Sequence, residues 1–183
     1  MANIKGTGMV QPVRDVRKSP EARRLVPARL AKYLAPDMRI SVSEWYPEED
    51  YIAFLRILVR AAGDPAGIWE KLGAMAARQD IAGVYKGLLR HGNPGATVLK
   101  GGTLWSSYHD TGRFVVRLEG RGAAHHELFD YGYPNPETCG ITTGYTLAFI
   151  ELAGGREARV VHTSCVHQGD DTCVWQSQWK DPD

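Results

Sequence analysis

The 183-residue chain carries 22 basic and 21 acidic side chains, a formal net charge of +1 that gives neither nucleic acid nor an anionic membrane a field to follow. At this length one domain over residues 1–183 is expected, mostly helical over about 1–110 and β-rich over about 112–180. No run approaches the roughly 18 consecutive apolar residues of a membrane span, and residues 1–20 lack a signal peptide's apolar core, so a cytoplasmic location is expected.

Residues 4–10 read as a short edge strand carrying Gly6 and Gly8. Ser19-Pro20-Glu21 is a helix start, with serine as cap and proline in the first turn, and the helix is expected to run toward Leu34 with a break or kink at Pro27. Basic residues from Arg14 to Lys32 alternate with apolar ones at helical spacing, the pattern of a solvated helix face. Pro47-Glu48-Glu49-Asp50 opens the clearest helix, with carboxylates at the positive end of its dipole. Its stripe Ile52, Phe54, Leu55, Leu58, Val59 and Ala62 ends at Gly63-Asp64-Pro65. Further helices are expected at about 66–77, 81–90 and 94–108.

After Gly112 the texture turns to β. Residues 114–118 and 125–129 flank Gly120-Arg121-Gly122 as a hairpin, and Tyr133-Pro134-Asn135-Pro136 leads into a helix over 137–152. A second hairpin pairs 158–165 with 173–179, and Cys173, Trp175 and Trp179 fall on one face of its last strand. The expected class is α+β: a four-stranded antiparallel sheet from a β-β-α-β-β half, packed against an N-terminal set of helices.

Three cysteines are present, Cys139, Cys165 and Cys173, with His162 three residues before the second. Three sulfurs and an imidazole are the ligand types of a tetrahedral, structural zinc. Cys139 falls in the first turn of the 137–152 helix, where free N–H groups favour a thiolate. Cys165 and Cys173 bracket the polar turn of the last hairpin. Residues three apart on a regular strand face opposite ways, so His162 needs a bulge or bend to join Cys165; His167, Asp170 and Asp171 compete for the fourth position. The alternative is that the cysteines are small buried hydrophobes in mutual contact.

Gly144, His162-Thr163-Ser164-Cys165, Gly169-Asp170, Cys173-Val174-Trp175 and Trp179 resemble the closing signature of the 4-vinyl reductase domain, a small-molecule-binding module related in fold to TRAPP subunits. Lys5-Gly6, Trp45-Tyr46-Pro47, Gly83-Val84-Tyr85 and Leu104-Trp105 with Tyr108 and Gly112 resemble an uncharacterised myxobacterial-type paralogous family. The first resemblance implies a structural zinc on Cys139, Cys165 and Cys173, with His162 where an acidic ligand would stand, and a homodimer.

No nucleotide fingerprint, phosphate loop or serine-elbow setting is present, and His125-His126-Glu127 has no nucleophile beside it, so no catalytic residue is expected. Trp45, Tyr46, Trp105 and Tyr108 are candidate contacts for a small apolar or aromatic ligand; the plainer reading is that these rings fill the core. The expected function is a non-enzymatic ligand-sensing or protein-interaction domain with a structural zinc, acting in regulation. A tetrapyrrole vinyl reductase or its accessory protein, and a purely structural dimerisation module, are the alternatives.

Overall fold

The computed structural model describes residues 2–83 and 85–182. They form two compact units, one running to Ile68 and including Ser107–Thr111, the other made of Trp69–Ser106 and the chain from Gly112 onward. The class is α+β as expected, with seven α-helices among the described residues and a four-stranded antiparallel sheet.

In the first unit, β1 (Asn3–Lys5) pairs antiparallel with β2 (Trp45–Pro47), and Ile4 also bridges to His109. The strand expected over 4–10 stops at Lys5, and α1 (Gly6–Lys18) begins at once and continues through Pro12. Met9, Pro12, Val13 and Val16 recur at i, i+3, i+4 and i+7, and all four are buried. Burial of that stripe overrides the weak helix propensity of Gly6, Gly8 and Pro12. Gly6 is also demanded by space, since a Cβ there would lie 1.8 Å from the Ser41 carbonyl oxygen.

Ser19 caps α2 (Pro20–Arg24) by accepting the Ala22 N–H at 3.1 Å. The helix expected to reach Leu34 breaks ahead of Pro27, which starts a 3₁₀ segment over Ala28–Leu34. The guanidinium of Arg17 holds this stretch, donating to the carbonyls of Tyr33 at 2.6 Å and Met38 at 2.8 Å. The helix α3 (Glu48–Ala61) forms where its apolar stripe places it, burying Ile52, Phe54, Leu55, Ile57 and Val59. Glu48 is fully buried in its first turn and faces His109 Nδ1 at 3.0 Å.

In the second unit the helix expected at 66–77 forms as α4 (Ile68–Ala82), whereas the one expected at 81–90 is replaced beyond residue 82 by a 3₁₀ turn at Lys86–Leu88. The stretch 94–108 is two helices, α5 (Pro94–Val98) and α6 (Gly101–Tyr108). Asn93 caps α5 through Ala96 N–H at 2.8 Å. The restart at Gly101-Gly102 follows from packing on the sheet, because a Cβ on Gly102 would stand 2.6 Å from the Phe114 carbonyl oxygen.

The sheet runs β3 (Arg113–Leu118), β4 (Ala123–Phe129), β6 (Cys173–Lys180), β5 (Arg156–Ser164) in spatial order. Both expected hairpins form, and β4 against β6 joins them, with His126 opposite Trp175 and Leu128 opposite Cys173. Period-two alternation turns Ala124, His126, Leu128, Cys173, Trp175, Ser177 and Trp179 to the buried face. The helix α7 (Pro136–Leu152) packs against β5 and β6, and is nearly apolar all round because α4 covers it as well. No helix among the described residues is long and apolar enough to cross a membrane.

Helices α4 and α7 touch backbone to backbone. A Cβ on Gly144 would sit 1.8 Å from the Glu70 carbonyl oxygen, and one on Gly73 would sit 2.0 Å from that of Ile141. Neither carbonyl can yield without breaking its helix. Gly144→Ala is therefore expected to cost about 1–3 kcal/mol of stability through overpacking, read as a lowered denaturation midpoint. Gly87→Ala, where a Cβ meets nothing within 4 Å, serves as the control and should leave the midpoint unchanged or raised.

Candidate thiolate–imidazole centre

Cys139 is set by the start of α7. Asn135 is the cap, its side chain accepting the Thr138 N–H at 2.8 Å, and Pro136 takes the first helical position, where a missing N–H costs nothing. Cys139 thus lies in the first turn, facing the sheet. Cys173 is the first residue of β6, and Cys165 follows the last residue of β5. Between them the chain makes a 3₁₀ turn, Val166–Gln168, ended by Gly169 at φ +103°, a left-handed conformation that glycine adopts freely. Cys165 closes the turn, donating its N–H to Asp170 Oδ2 at 2.7 Å and accepting the Asp170 N–H at 3.2 Å.

The three thiols are free, and each cysteine is buried. Cys139 Sγ lies 3.9 Å from both Cys165 Sγ and Cys173 Sγ. The register of β5 against β6 shifts between His162 and Ser164, the irregularity that lets His162 and Cys165 face the same side although three residues apart. The imidazole of His162 stacks on Trp175, ring centroids 4.6 Å apart at 19°, and its Nε2 is buried without a hydrogen-bond partner. One ligand atom from each of Cys139, His162, Cys165 and Cys173 lies within 4.8 Å of every other.

The sulfurs are not equivalent. The Cys139 and Cys173 sulfurs share a hydrogen bond, and the Val166 N–H donates a second one to Cys173 Sγ at 3.4 Å. These bonds, with a smaller contribution from the His162 ring, pull the Cys173 thiol below its ordinary value against the cost of burial. The same hydrogen bond and its own burial push the Cys139 thiol far above its ordinary value. Asp170, on the exposed turn, is held below the usual carboxylate range by the Cys165 N–H.

All four expected metal-ligating residues come together here. His167 and Asp171 point away, exposed on the turn, and Asp170 is used as its brace. Of the expected ligand contacts, Trp45 is 42 % exposed under the Lys5 ammonium, and Tyr46 is a core ring whose hydroxyl accepts the Ser41 N–H at 2.8 Å. Tyr108 is half-buried, and all three belong to the first unit. Trp105 belongs to the second, where it stacks on Phe114, meets Tyr131 edge-on, and shares a buried cluster with the three cysteines, Leu128 and Trp175. Two partners of the centre escape sequence reasoning. Thr143 accepts the Trp175 Nε1–H at 3.0 Å and donates to the Cys139 carbonyl at 2.9 Å, joining β6 to α7. The Val166 N–H bond to Cys173 depends on turn geometry that carries no residue signature. Trp175 itself was visible as the neighbour of Cys173 on the period-two face.

No family model matches the chain, and no curated protein matches it. Solved structures do. An H-NOX protein from S. oneidensis in the Fe(II) ligation state superposes with a TM-score of 0.70 at 12% identity, covering 98% of this chain and 97% of that one. A mutant of the T. tengcongensis H-NOX gives 0.66 at 13%, covering 97% and 98%. An oxygen-binding H-NOX domain related to soluble guanylate cyclases gives 0.68 at 13%, covering 97% and 96%. The chain has the H-NOX fold.

This corrects two expectations. The resemblance to the 4-vinyl reductase domain, and the myxobacterial-type family read with it, are not supported. The residues that carried the first lie in one helix and one hairpin, and such a local motif does not specify the fold of a whole chain; of those that carried the second, Val84 lies outside the described residues. The structural zinc implied by that resemblance falls as well, because the solved structures of this fold are described by iron and haem.

A second imidazole lies behind Trp175. His126 is 1 % exposed and contacts Ser177 Oγ through Nε2 at 2.7 Å, with Nδ1 unpartnered. Burial, with a smaller contribution from His125, lowers its pKa from 6.5 to about 4, so it is folded as the neutral ring. A depressed folded value means that the unfolded chain takes the proton first. The contribution is therefore complete above about pH 6.5 and is lost as pH falls toward 4. Denaturant midpoints measured between pH 7.5 and 4 should show the native protein losing about 2–4 kcal/mol more than His126→Gln.

Proposed function

We propose that this chain is a regulatory, non-enzymatic ligand-sensing domain on the H-NOX fold, with its chemistry at Cys139, His162, Cys165 and Cys173. Structures sharing the fold are described with haem, and with nitric oxide or oxygen bound. The side chains present here do not fit a haem. An axial ligand needs an open face beside the iron. All three thiols are buried against one another and against Trp105, Leu128 and Trp175. His162 lies flat on Trp175, His126 is closed in by Ser177 and Phe114, and His109 is held by Glu48. His125 is tied to Gln176 on the sheet, and His91 and His167 are exposed.

The donor set fits one compact thiophilic metal ion instead. Three sulfurs and an imbedded imidazole nitrogen are soft and borderline donors. The carrying observation is the convergence of one ligand atom from each of Cys139, His162, Cys165 and Cys173 within 4.8 Å of one another, with His162 Nε2 buried and unpartnered. Such an atom costs roughly 1–3 kcal/mol unless something fills the space before it. Three closely spaced thiols also need a cation before all can ionise. Trp105 borders the same cluster, so a small apolar or aromatic ligand entering the second unit would be felt at the centre. The exposed turn Val166–Asp171, built directly on two of the cysteines, would report it.

Titration of the purified full chain with cobalt(II) tests this reading. One equivalent should give intense sulfur-to-metal absorption, weakened roughly 10- to 100-fold in affinity or more by His162→Ala. Titration with haemin should leave no stable haem band. A stoichiometric haem complex, or no cobalt absorption, would overturn it, and native mass spectrometry of the same sample reads retained ligands and whether the protein is a homodimer.

A further inference from the structure

The four converging side chains are not held equally. Cys139 is fixed by the capped start of α7, Cys165 by its two hydrogen bonds to Asp170, and Cys173 by a strand with neighbours on both sides. His162 lies on β5, an outer strand of the sheet, at the point where its register against β6 slips. It is only half-buried, and its Nε2 has no hydrogen-bond partner among the described residues. What fixes the plane of its ring is Trp175, its register partner on β6, stacked on it with centroids 4.6 Å apart at 19°.

Trp175 is in turn fixed by one atom. Its side chain is fully buried, and an indole N–H can only donate. The acceptor is Thr143 Oγ1 at 3.0 Å, whose own hydrogen goes to the Cys139 carbonyl, four residues back in α7, at 2.9 Å. A hydroxyl has one hydrogen to give, so the direction of both bonds is settled. The Cys139 carbonyl, the Thr143 hydroxyl, the Trp175 indole and the His162 imidazole thus form a continuous chain between two of the four donor residues. One end is on the helix and the other on the outer strand.

We propose that Trp175, pinned by Thr143, is the positioning residue that makes His162 a ligand, and that this pair sets which ions the centre prefers. This rests on the metal reading of the cluster and adds its selectivity. With the imidazole held, the donor set is three sulfurs and one nitrogen, which suits a borderline divalent ion. With the indole unpinned, the ring turns out from the outer strand into water and leaves three sulfurs, a softer set. The partner that orients a metal-binding imidazole is ordinarily a carboxylate, carbonyl or water bonded to its other nitrogen. Here a stacked indole has that duty, and the hydroxyl that holds the indole also touches the backbone of Cys139.

The test titrates cobalt(II), a borderline ion, and cadmium(II), a softer one, into the full chain as native, Thr143→Val and Thr143→Ser protein, each also in a His162→Ala background. Valine keeps the shape of threonine and removes the acceptor, and serine returns it. Thr143→Val should weaken cobalt roughly 10- to 100-fold, move its ligand-field bands toward those of His162→Ala, and change cadmium several-fold less. Thr143→Ser should restore the native cobalt spectrum. In the His162→Ala background Thr143→Val should weaken cobalt no further, because it acts only through the imidazole. A general loosening of the fold would weaken cobalt in both backgrounds. Without any metal, the ring protons of His162, shifted upfield by the indole in the native protein, should move back in Thr143→Val. An equal loss of cobalt affinity in the His162→Ala background, or a parallel loss for cadmium, would overturn the proposal. Native protein that binds no cobalt removes the metal reading and this inference with it, whereas native binding that Thr143→Val leaves unchanged removes this inference alone.

Discussion

Everything in the second unit depends on how α7 is seated on the sheet. Gly144 and Gly73 remove the side chains that would separate α7 from α4, and the two helices meet at backbone distance. From the other side Trp175 reaches up from β6 and donates its indole N–H to Thr143, one turn along from Cys139. Seated between these contacts, the first turn of α7 has little freedom, and Cys139 is delivered to within 3.9 Å of two sulfurs that the last hairpin supplies. A shift of one ångström in α7 would disperse the cluster. The sulfurs could not hold such an arrangement by themselves, because contacts between thiols are weak. The helix packing imposes it.

Imposed proximity has an electrostatic consequence. In water three thiols would titrate alike, but here a shared hydrogen bond and an N–H from Val166 separate them, lowering the Cys173 thiol and raising that of Cys139. The hairpin turn that contributes this N–H is itself exposed and short. The polarity of the buried centre and the shape of an accessible surface element are thus set by the same few backbone atoms. That coupling gives the sensing proposal a physical route from the inside of the unit to its surface.

Much of this was legible in the sequence, for identifiable reasons. The four strands and α7 follow from period-two alternation and from capping by Asn135-Pro136, which act locally and leave a residue pattern. The helix α3 was equally plain in its apolar stripe. Over residues 6–18 the local signals of two glycines and a proline pointed away from helix, and only burial of Met9, Pro12, Val13 and Val16 against other parts of the first unit reversed them. The division of 94–108 into two helices turns likewise on contacts made elsewhere, with Gly102 against Phe114. At the centre, ligand types and the need for a bulge beside His162 could be read from spacing. The asymmetry among the sulfurs could not, because it arises from Val166, whose contribution is a backbone amide available to any residue but proline.

The same limits explain why a local signature misled about the whole. Cysteines at the ends of a hairpin and at the start of a helix are the solution to a problem of reach, and any fold that lays a helix across the end of a hairpin can adopt it. Overall architecture is decided by the order of elements and by which faces bury, and on those grounds the chain has the H-NOX fold. A fold in turn does not fix its chemistry. Where solved structures of this fold are described with a haem iron, this chain fills the interior of its second unit with Trp105, Phe114, Trp175 and a stacked imidazole, and places three thiols at the junction of helix and sheet. In this unit the sulfur junction is where metal-ligating side chains converge.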